Sequence, residues 1–438
     1  MTHGNNPRAE ELAFTARLDR RLVSTRGGMR HVLVDIRAPQ VERPDGEPRP
    51  PLNLSLVIDA SGSMDGEPLD AARAAARGVV EQLRDDDRIT VVSFADYVVV
   101  HADAVRADAA GRADAVRAID RLTTRGCTDL GAGWLEGCDR VARAMDAVRG
   151  GQHRVVVLSD GHANRGLVDP EQLGLHAAEL RRRGLYTSAV GIGDDYSPSQ
   201  LQAIAEHGGG RLHDAPLGAD IVAVVLGELG EILATAADAV TLKVTHPRRL
   251  PVTVLGPFPR TVGDGVVEVV AGTMVSGSTR QVVLQLAVPP GDAGERFELE
   301  IAPSWRTPDG RPAAGVRLAA GMTLCPAVEV AAELPDLDAC LAVARLWHRH
   351  ILLESTLRNT EGRYKEAEAF VREALPAFRD YCRDLPGTAS LVRELEGHGL
   401  VVMREMDRGF CMEICSDALL FMKDDKDFRV NRRRLPRG

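Results

Sequence analysis

Aromatic residues are scarce in this 438-residue chain, at 4%. Any core must therefore be filled mainly by Val, Leu and Ala. Basic charge is also lacking. The net charge is −9, which argues against a nucleic-acid-binding protein, since these are usually basic or carry a basic face. No run of about 18 apolar residues occurs, so no membrane span is predicted. The start, MTHGNNPRAEELAF, has no charged region leading into an apolar one, so no signal peptide is predicted and the expected location is cytoplasmic. The seven cysteines are odd in number and irregular in spacing. They read as reduced, mostly buried thiols rather than a disulfide frame. No G-x-x-x-x-G-K-[ST] is present, which excludes an ATPase site of that type, and no G-x-S-x-G elbow surrounds any serine.

What is present divides into six segments. Residues 1–12 are polar and predict a disordered N-terminus. Residues 13–50 hold two alternating runs (Phe14, Ala16, Leu18 and Val32, Val34, Ile36) around Arg26-Gly27-Gly28, followed by a Pro-rich linker at 39–50. Residues 51–236 alternate short apolar runs (52–58, 89–94, 97–101, 154–159, 185–191) with helical patterns. This predicts a doubly wound, mostly parallel sheet with helices on both faces. The run at 97–101 follows 89–94 too closely for a crossover helix, so it is expected as an antiparallel edge strand. Residues 237–330 show short alternating segments separated by Gly and Pro turns and predict an antiparallel β-sandwich. The sandwich is short of strands unless the hairpin at 13–38 supplies them, which would make the α/β domain an insertion. Residues 331–425 are helical again. One face carries Leu337, Cys340, Leu341, Ala344, Trp347 and Ile351, and another Tyr364, Ala367, Val371, Ala374, Phe378 and Tyr381. A third helix is expected from about Ala389 and a short fourth over 412–422, which predicts a small helical bundle. Residues 426–438 form a basic tail.

The chemistry is concentrated in Asp59-Ala60-Ser61-Gly62-Ser63. A carboxylate and two hydroxyls at i, i+2 and i+4, on the loop leaving an apolar strand, are hard oxygen donors suited to Mg²⁺, Mn²⁺ or Ca²⁺. Downstream, Thr128 follows Gly126-Cys127 and precedes a helical pattern, and Asp160 ends the buried run Val155 to Ser159 and precedes Gly161. Ligands of open parallel sheets bind beyond the carboxyl ends of the strands. Asp59 and Asp160 lie at such ends, and Thr128 sits on a loop that reaches the same rim. Helix capping accounts for Asp59 or Ser61, but not for Thr128 and Asp160 on two other loops.

Together these residues resemble the metal-ion-dependent adhesion site of the von Willebrand factor type A family, which reads D-x-S-x-S, then Thr, then Asp. The surrounding DASGSMDGEPL, DRITVVSF, GCTDL and LSDG are similar as well, over about residues 52–235. The resemblance implies that Ser61 and Ser63 bind the metal directly, that Thr128 joins them when the site is engaged, and that Asp59 and Asp160 act through bridging waters. It implies a socket in which neutral hydroxyls leave the charge of the ion largely unspent, so that it attracts a Glu or Asp carboxylate of a protein partner. Gly62 and Gly161 are expected to let the backbone approach the ion. Intracellular bacterial members of the family often work beside ring-shaped ATPases of the MoxR type or as chelatase subunits, so an adaptor of such a system is implied.

The leading expectation is therefore a non-enzymatic, metal-dependent interaction module. A metal-assisted hydrolase or phosphatase at the same loops is the alternative. Asp65 and Asp129 lie near the site, but no general base is placed by motif. A scaffold whose helical bundle carries the function is a third. Weaker signals read as structural. Gly191-Ile192-Gly193-Asp194-Asp195 is expected as a strand-end turn and Asp85-Asp86-Asp87 as a solvated turn. Cys382, Cys411, Cys415 and His398 are expected in the core rather than on zinc, and His348 and His350 are expected to be partly exposed.

Overall fold

A computed structural model describes residues 12–40, 49–160, 165–193, 196–215, 218–407, 409–411 and 413–415. The expected N-terminal disorder, most of the 39–50 linker, Gly161, Asp194-Asp195, the basic tail and most of the fourth helix lie outside the described residues. Three strands come first: β1 (Ala13–Leu18), β2 (Leu22–Ser24) and β3 (Gly28–Arg37). The α/β unit follows as β4 (Leu52–Asp59), α1 (Glu67–Gln82), β5 (Arg88–Phe94), β6 (Val98–Arg106), α2 (Ala109–Asp120), α3 (Leu130–Ala144), β7 (Gln152–Ser159), α4 (Pro170–Arg182), β8 (Leu185–Ile192), α5 (Pro198–His207), β9 (Gly209–Ala215) and α6 (Gly218–Leu233). Its sheet has the order β6-β5-β4-β7-β8-β9, with β6 antiparallel and the rest parallel. From β4 the chain builds β5 and β6 on one side, then crosses to β7 and builds β8 and β9 on the other. The strand order thus reverses between β4 and β7, and a crevice opens at their carboxyl ends.

Every residue of β4, β7 and β8 is buried. α1, α2 and α6 cover one face through Leu69, Val79, Ile119 and Val225. α3, α4 and α5 cover the other through Trp134, Val141, Leu173 and Ile204. The close approach of α3 needs two glycines. A Cβ on Gly133 would lie 2.4 Å from Phe94, and one on Gly137 would lie 2.3 Å from Val57. This contact sets the height at which the first turn of α3, and the loop before it, meets the end of the sheet.

The remaining strands are β10 (Thr235–Thr245), β11 (Val252–Leu255), β12 (Arg260–Gly263), β13 (Val266–Val275), β14 (Thr279–Val288), β15 (Arg296–Arg306), β16 (Pro312–Ala314) and β17 (Leu318–Cys325). They form two sheets together with the N-terminal strands: β1-β3-β14-β11, and β12-β13-β10-β15-β17-β2 with β16 on β15. β3 pairs with β14 over ten residues, and β2 runs parallel to β17. The α/β unit is therefore spliced between two strands of the sandwich, β3 and β10, which lie in different sheets. Val32, Val34 and Ile36 of β3 face the other sheet. Leu33 faces the opposite way, packing with Val343 and Trp347, which is why β3 is buried on both sides.

α7 (Ala327–Ala332) leads to α8 (Leu337–Thr360), α9 (Tyr364–Cys382) and α10 (Ala389–Val401), which pack around Trp347, Ile351, Ala367, Val371 and Phe378. Leu337 lies off this core and is exposed. Among the described residues, no helix is long and apolar enough to cross a membrane.

Candidate metal centre

β4 ends at Asp59, and the chain turns at once. Ala60 N donates to Phe94 O on β5 (2.8 Å), and Gly62–Met64 form one turn of 3₁₀ helix. Met64 is fully buried and plugs this turn into the core. Ser61 and Ser63 are thereby held beside each other, with their hydroxyl oxygens 3.1 Å apart. Asp59 Oδ1 accepts from Ser61 N (2.8 Å), and Oδ2 accepts from Ser159 Oγ at the end of β7 (2.6 Å). The parallel register, with Ile58 opposite Leu158, brings these strand ends together. Ser63 Oγ donates to Asp160 Oδ1 (2.9 Å). A hydroxyl has one proton. That of Ser63 goes to Asp160, and that of Ser61 is shared between Ser63 and Asp59, to which its side chain is also hydrogen-bonded.

Thr128 reaches the same rim on a loop stitched to this one. Arg125 N donates to Ala60 O (2.6 Å) and Gly62 N to Gly126 O (3.2 Å). Thr124 Oγ1 donates to Asp65 Oδ1 (3.0 Å). Asp129 N then donates to Ala95 O (2.9 Å), while its carboxylate caps α3 by accepting from Ala132 N (3.0 Å). Thr128 is buried between these anchors. The structure thus assembles Asp59, Ser61, Ser63 and Asp160 through direct hydrogen bonds and brings in Thr128 through its backbone neighbours.

Electrostatics distinguish this loop from the rest of the molecule. Five aspartates are buried among the described residues: Asp19, Asp35, Asp59, Asp87 and Asp238. Asp19 meets His31 (2.8 Å), Asp35 meets Arg17 (3.2 Å), Asp87 meets Arg49, and Asp238 meets Arg154 (2.8 Å). Among the described residues, Asp59 has no cationic side chain within ion-pair reach. Burial pushes its carboxyl above the ordinary aspartate value, opposed by the hydrogen bonds from Ser159 and Ser61. A buried charge is normally paired or bound to metal. The donor set fits a hard divalent cation. All donors are oxygens, and the 3.1 Å spacing of the two serine hydroxyls is close to the edge of an oxygen octahedron of radius about 2.1 Å, which is about 3.0 Å. Ser61, Ser63, Thr128, Asp59 and Asp160 are the residues able to hold it.

Several expectations need correction. A Cβ on Gly62 would make an ordinary contact of 3.8 Å with Gly126 O, so the protein itself does not demand a glycine there. Asp87 is not part of a solvated turn. It is fully buried and accepts from Arg49, Leu52 N (2.8 Å) and Arg84 N (2.7 Å). His348 is buried beside Glu394 (3.3 Å) rather than partly exposed. Asp65 and Asp129 are occupied in holding loops. Ser159, the direct support of Asp59, escaped the motif reading, although it adjoins Asp160 and the strand register places it opposite Asp59. Cys382, Cys411, Cys415 and His398 do not gather into a ligand cluster among the described residues. The one His/Glu group that does is His213, Glu228 and Glu231. It lies in a buried ionic seam, with His213 Nε2 on Glu228 (2.5 Å) and Arg211 on Glu231 (2.6 Å), so protein cations already meet its carboxylates.

Residues 53–219 match the sequence profile of the von Willebrand factor type A domain. The chain carries a von Willebrand factor type A domain. A protein of Synechocystis sp., itself described as uncharacterized, is 35% identical over 175 residues, which are 38% of this chain and 38% of that one. The chain spans about a third of the length of the curated relatives it matches. Two solved structures share its fold almost throughout. A von Willebrand factor type A protein from Catenulispora acidiphila has a TM-score of 0.69 at 18% identity, over 96% of this chain and 99% of that one. The ArnB paralog VWA2 from Sulfolobus acidocaldarius has a TM-score of 0.57 at 13% identity, over 94% and 100%. At such identities the likeness concerns the fold alone. The type A domain of this chain is the α/β unit whose crevice holds the Asp59 loop.

Proposed function

We propose that the type A domain holds a divalent cation, Mg²⁺ or else Mn²⁺ or Ca²⁺, and uses it to bind an acidic side chain of a protein partner. The observation that carries this reading is Asp59, the buried aspartate without a protein cation, joined to a ring of hydroxyl oxygens at the switch point of the sheet. Ser61 and Ser63 present lone pairs to the ion, and Thr128 adds a third hydroxyl. Asp59 and Asp160 supply charge from behind, each already engaged by a hydroxyl or amide. The ion supplies an electrophile for a carboxylate. Hydroxyls add no negative charge of their own, so its attraction for that carboxylate is retained. The preformed loop lowers the ordering cost of binding.

The reading is non-enzymatic. Near the crevice, Asp65 takes the Thr124 hydroxyl and Asp129 caps α3, which leaves neither placed as a general base. Adaptor work in the cytoplasm beside an ATPase of the MoxR type belongs to the same proposal and rests on the resemblance alone. A pull-down from lysate with and without EDTA, read by mass spectrometry, tests the reading. Partners captured by the wild type with Mg²⁺ should be lost with EDTA and with Asp59→Asn or Thr128→Ala. Capture that survives all three contradicts it. Turnover of a generic phosphate ester that depends on Mg²⁺ and on Asp59 would favour a hydrolase instead.

A further inference from the structure

Beside the metal loop stands an ordered aromatic side chain that the motif does not account for. Tyr97 sits in the tight turn between β5 and β6, where Ala95 N donates to Tyr97 O (3.2 Å). Its side chain is 56% exposed, in a chain poor in aromatics. It is nonetheless held in place. The Arg125 guanidinium lies 4.7 Å from the ring centroid, and Arg125 Nη2 donates to Ser93 Oγ (3.0 Å). Ser93 Oγ in turn lies 2.7 Å from His101 Nε2. The same Arg125 gives its backbone N–H to Ala60 O, inside the Asp59-Ser63 loop. One ring face therefore lies against a cation on the neighbouring loop, which is hydrogen-bonded to the Asp59-Ser63 loop, and the residue is otherwise largely exposed.

Charge around this rim is unfavourable for a strongly acidic ligand. Asp65 and Asp96 are exposed. Asp65 is bonded to the Thr124 loop, and Asp96 lies against Gly126, where a Cβ would come within 2.8 Å of its Cγ. With Asp59 and Asp160 these make four carboxylates among the described residues, set against a divalent ion and Arg125. A second acidic side chain next to the one on the ion would meet Asp65 or Asp96 without a compensating cation. An apolar neighbour would meet the open Tyr97 ring, an aromatic anchor already ordered before binding.

We propose that Tyr97, stacked on Arg125, selects the partner: a segment in which a single Asp or Glu is followed by an apolar side chain, not an acidic run. This rests on the metal-dependent reading above and adds the identity of the ligand class. The test uses the full chain and three synthetic blocked peptides, with Glu-Leu, Glu-Gly or Glu-Glu at the centre, titrated by calorimetry at saturating Mg²⁺ and again in EDTA. The Glu-Leu peptide should bind about tenfold more tightly than Glu-Gly, the size of one interface hot-spot contact, and Glu-Glu should bind no better than Glu-Gly. Tyr97→Ala should erase the preference for Leu while leaving the Mg²⁺-dependent binding of Glu-Gly, and Tyr97→Phe should keep both. A preference that survives Tyr97→Ala, or tightest binding of Glu-Glu, overturns this inference and leaves the metal reading standing. Binding of all three that ignores EDTA, or of none, overturns both.

Discussion

Strand β4 has a buried aspartate at each end, and the two are opposites. At its start, Asp87 receives Leu52 N and the guanidinium of Arg49, and the pair is sealed from solvent at 0% and 6% side-chain exposure. At its end, Asp59 is equally buried and receives two serine hydroxyls and an amide. Burial is the same and the compensation differs. At one end the protein supplies the positive charge itself, so Asp87 is complete as it stands and serves the fold. At the other end it supplies oxygens among the described residues, and under the proposed function the cation comes from solution. Residue type and burial do not tell a structural aspartate from a functional one; what lies within ion-pair distance does.

The strongest way to break this contrast is to neutralise each aspartate in turn. Asp87→Asn leaves the Arg49 guanidinium buried without its partner and should cost about 3–5 kcal/mol, the usual penalty for orphaning a buried charge. Asp59→Asn keeps the shape and removes an uncompensated charge, so in EDTA it should be neutral or stabilising. Urea denaturation of the two variants measures the difference directly, and a similar loss for both would erase the distinction.

Acid should act next, and at the structural end of the sheet. Burial, with Arg154 adding, pushes His153 down from 6.5 to about 4. The folded state then binds fewer protons than the unfolded chain between these values. The contribution of His153 is complete above pH 6.5, falls as pH drops towards 4, and is constant below that. At pH 5 the loss should be about 2 kcal/mol. Denaturation midpoints between pH 7 and 4.5 should show it, and His153→Gln should remove its share of that slope, leaving the shares of His350 and His398, which burial also pushes down to about 4.

Metal should act only at the other end. Mg²⁺ at about a hundred times its dissociation constant should stabilise the wild type by about 2.7 kcal/mol and leave Asp59→Asn unchanged. The smallest effect concerns the stitching between loops. Thr124→Ala removes the bond to Asp65 and should cost about 0.5–1.5 kcal/mol, visible as a modest loss of Mg²⁺ affinity in the same melts.

The metal loop was legible because its donors are close in sequence and fall where apolar runs stop. Asp59, Ser61 and Ser63 span five positions, and Thr128 and Asp160 each follow a recognisable strand or precede a helix. Ser159 needed the register of β7 against β4, which no local pattern contains. The α/β order was legible for the apolar strands, and the antiparallel β6 followed from loop length. β9 was not, since Gly209, Gly210, Arg211 and His213 look like a polar loop. They are tolerated in a strand because Glu228 and Glu231 meet Arg211 and His213 from α6. Asp87 was misread for the same reason: its partner Arg49 is 38 positions away, and a run of three aspartates looks solvated until that partner is seen.

The central claim is that Asp59 takes its cation from solution. Thermal melts of metal-stripped wild type and Asp59→Asn, each with and without Mg²⁺, test it most directly. The account predicts that Asp59→Asn melts at or above the wild type in EDTA, and that Mg²⁺ raises the wild type alone. A wild type indifferent to Mg²⁺, Mn²⁺ and Ca²⁺, or an Asp59→Asn variant stabilised as much as the wild type, contradicts it.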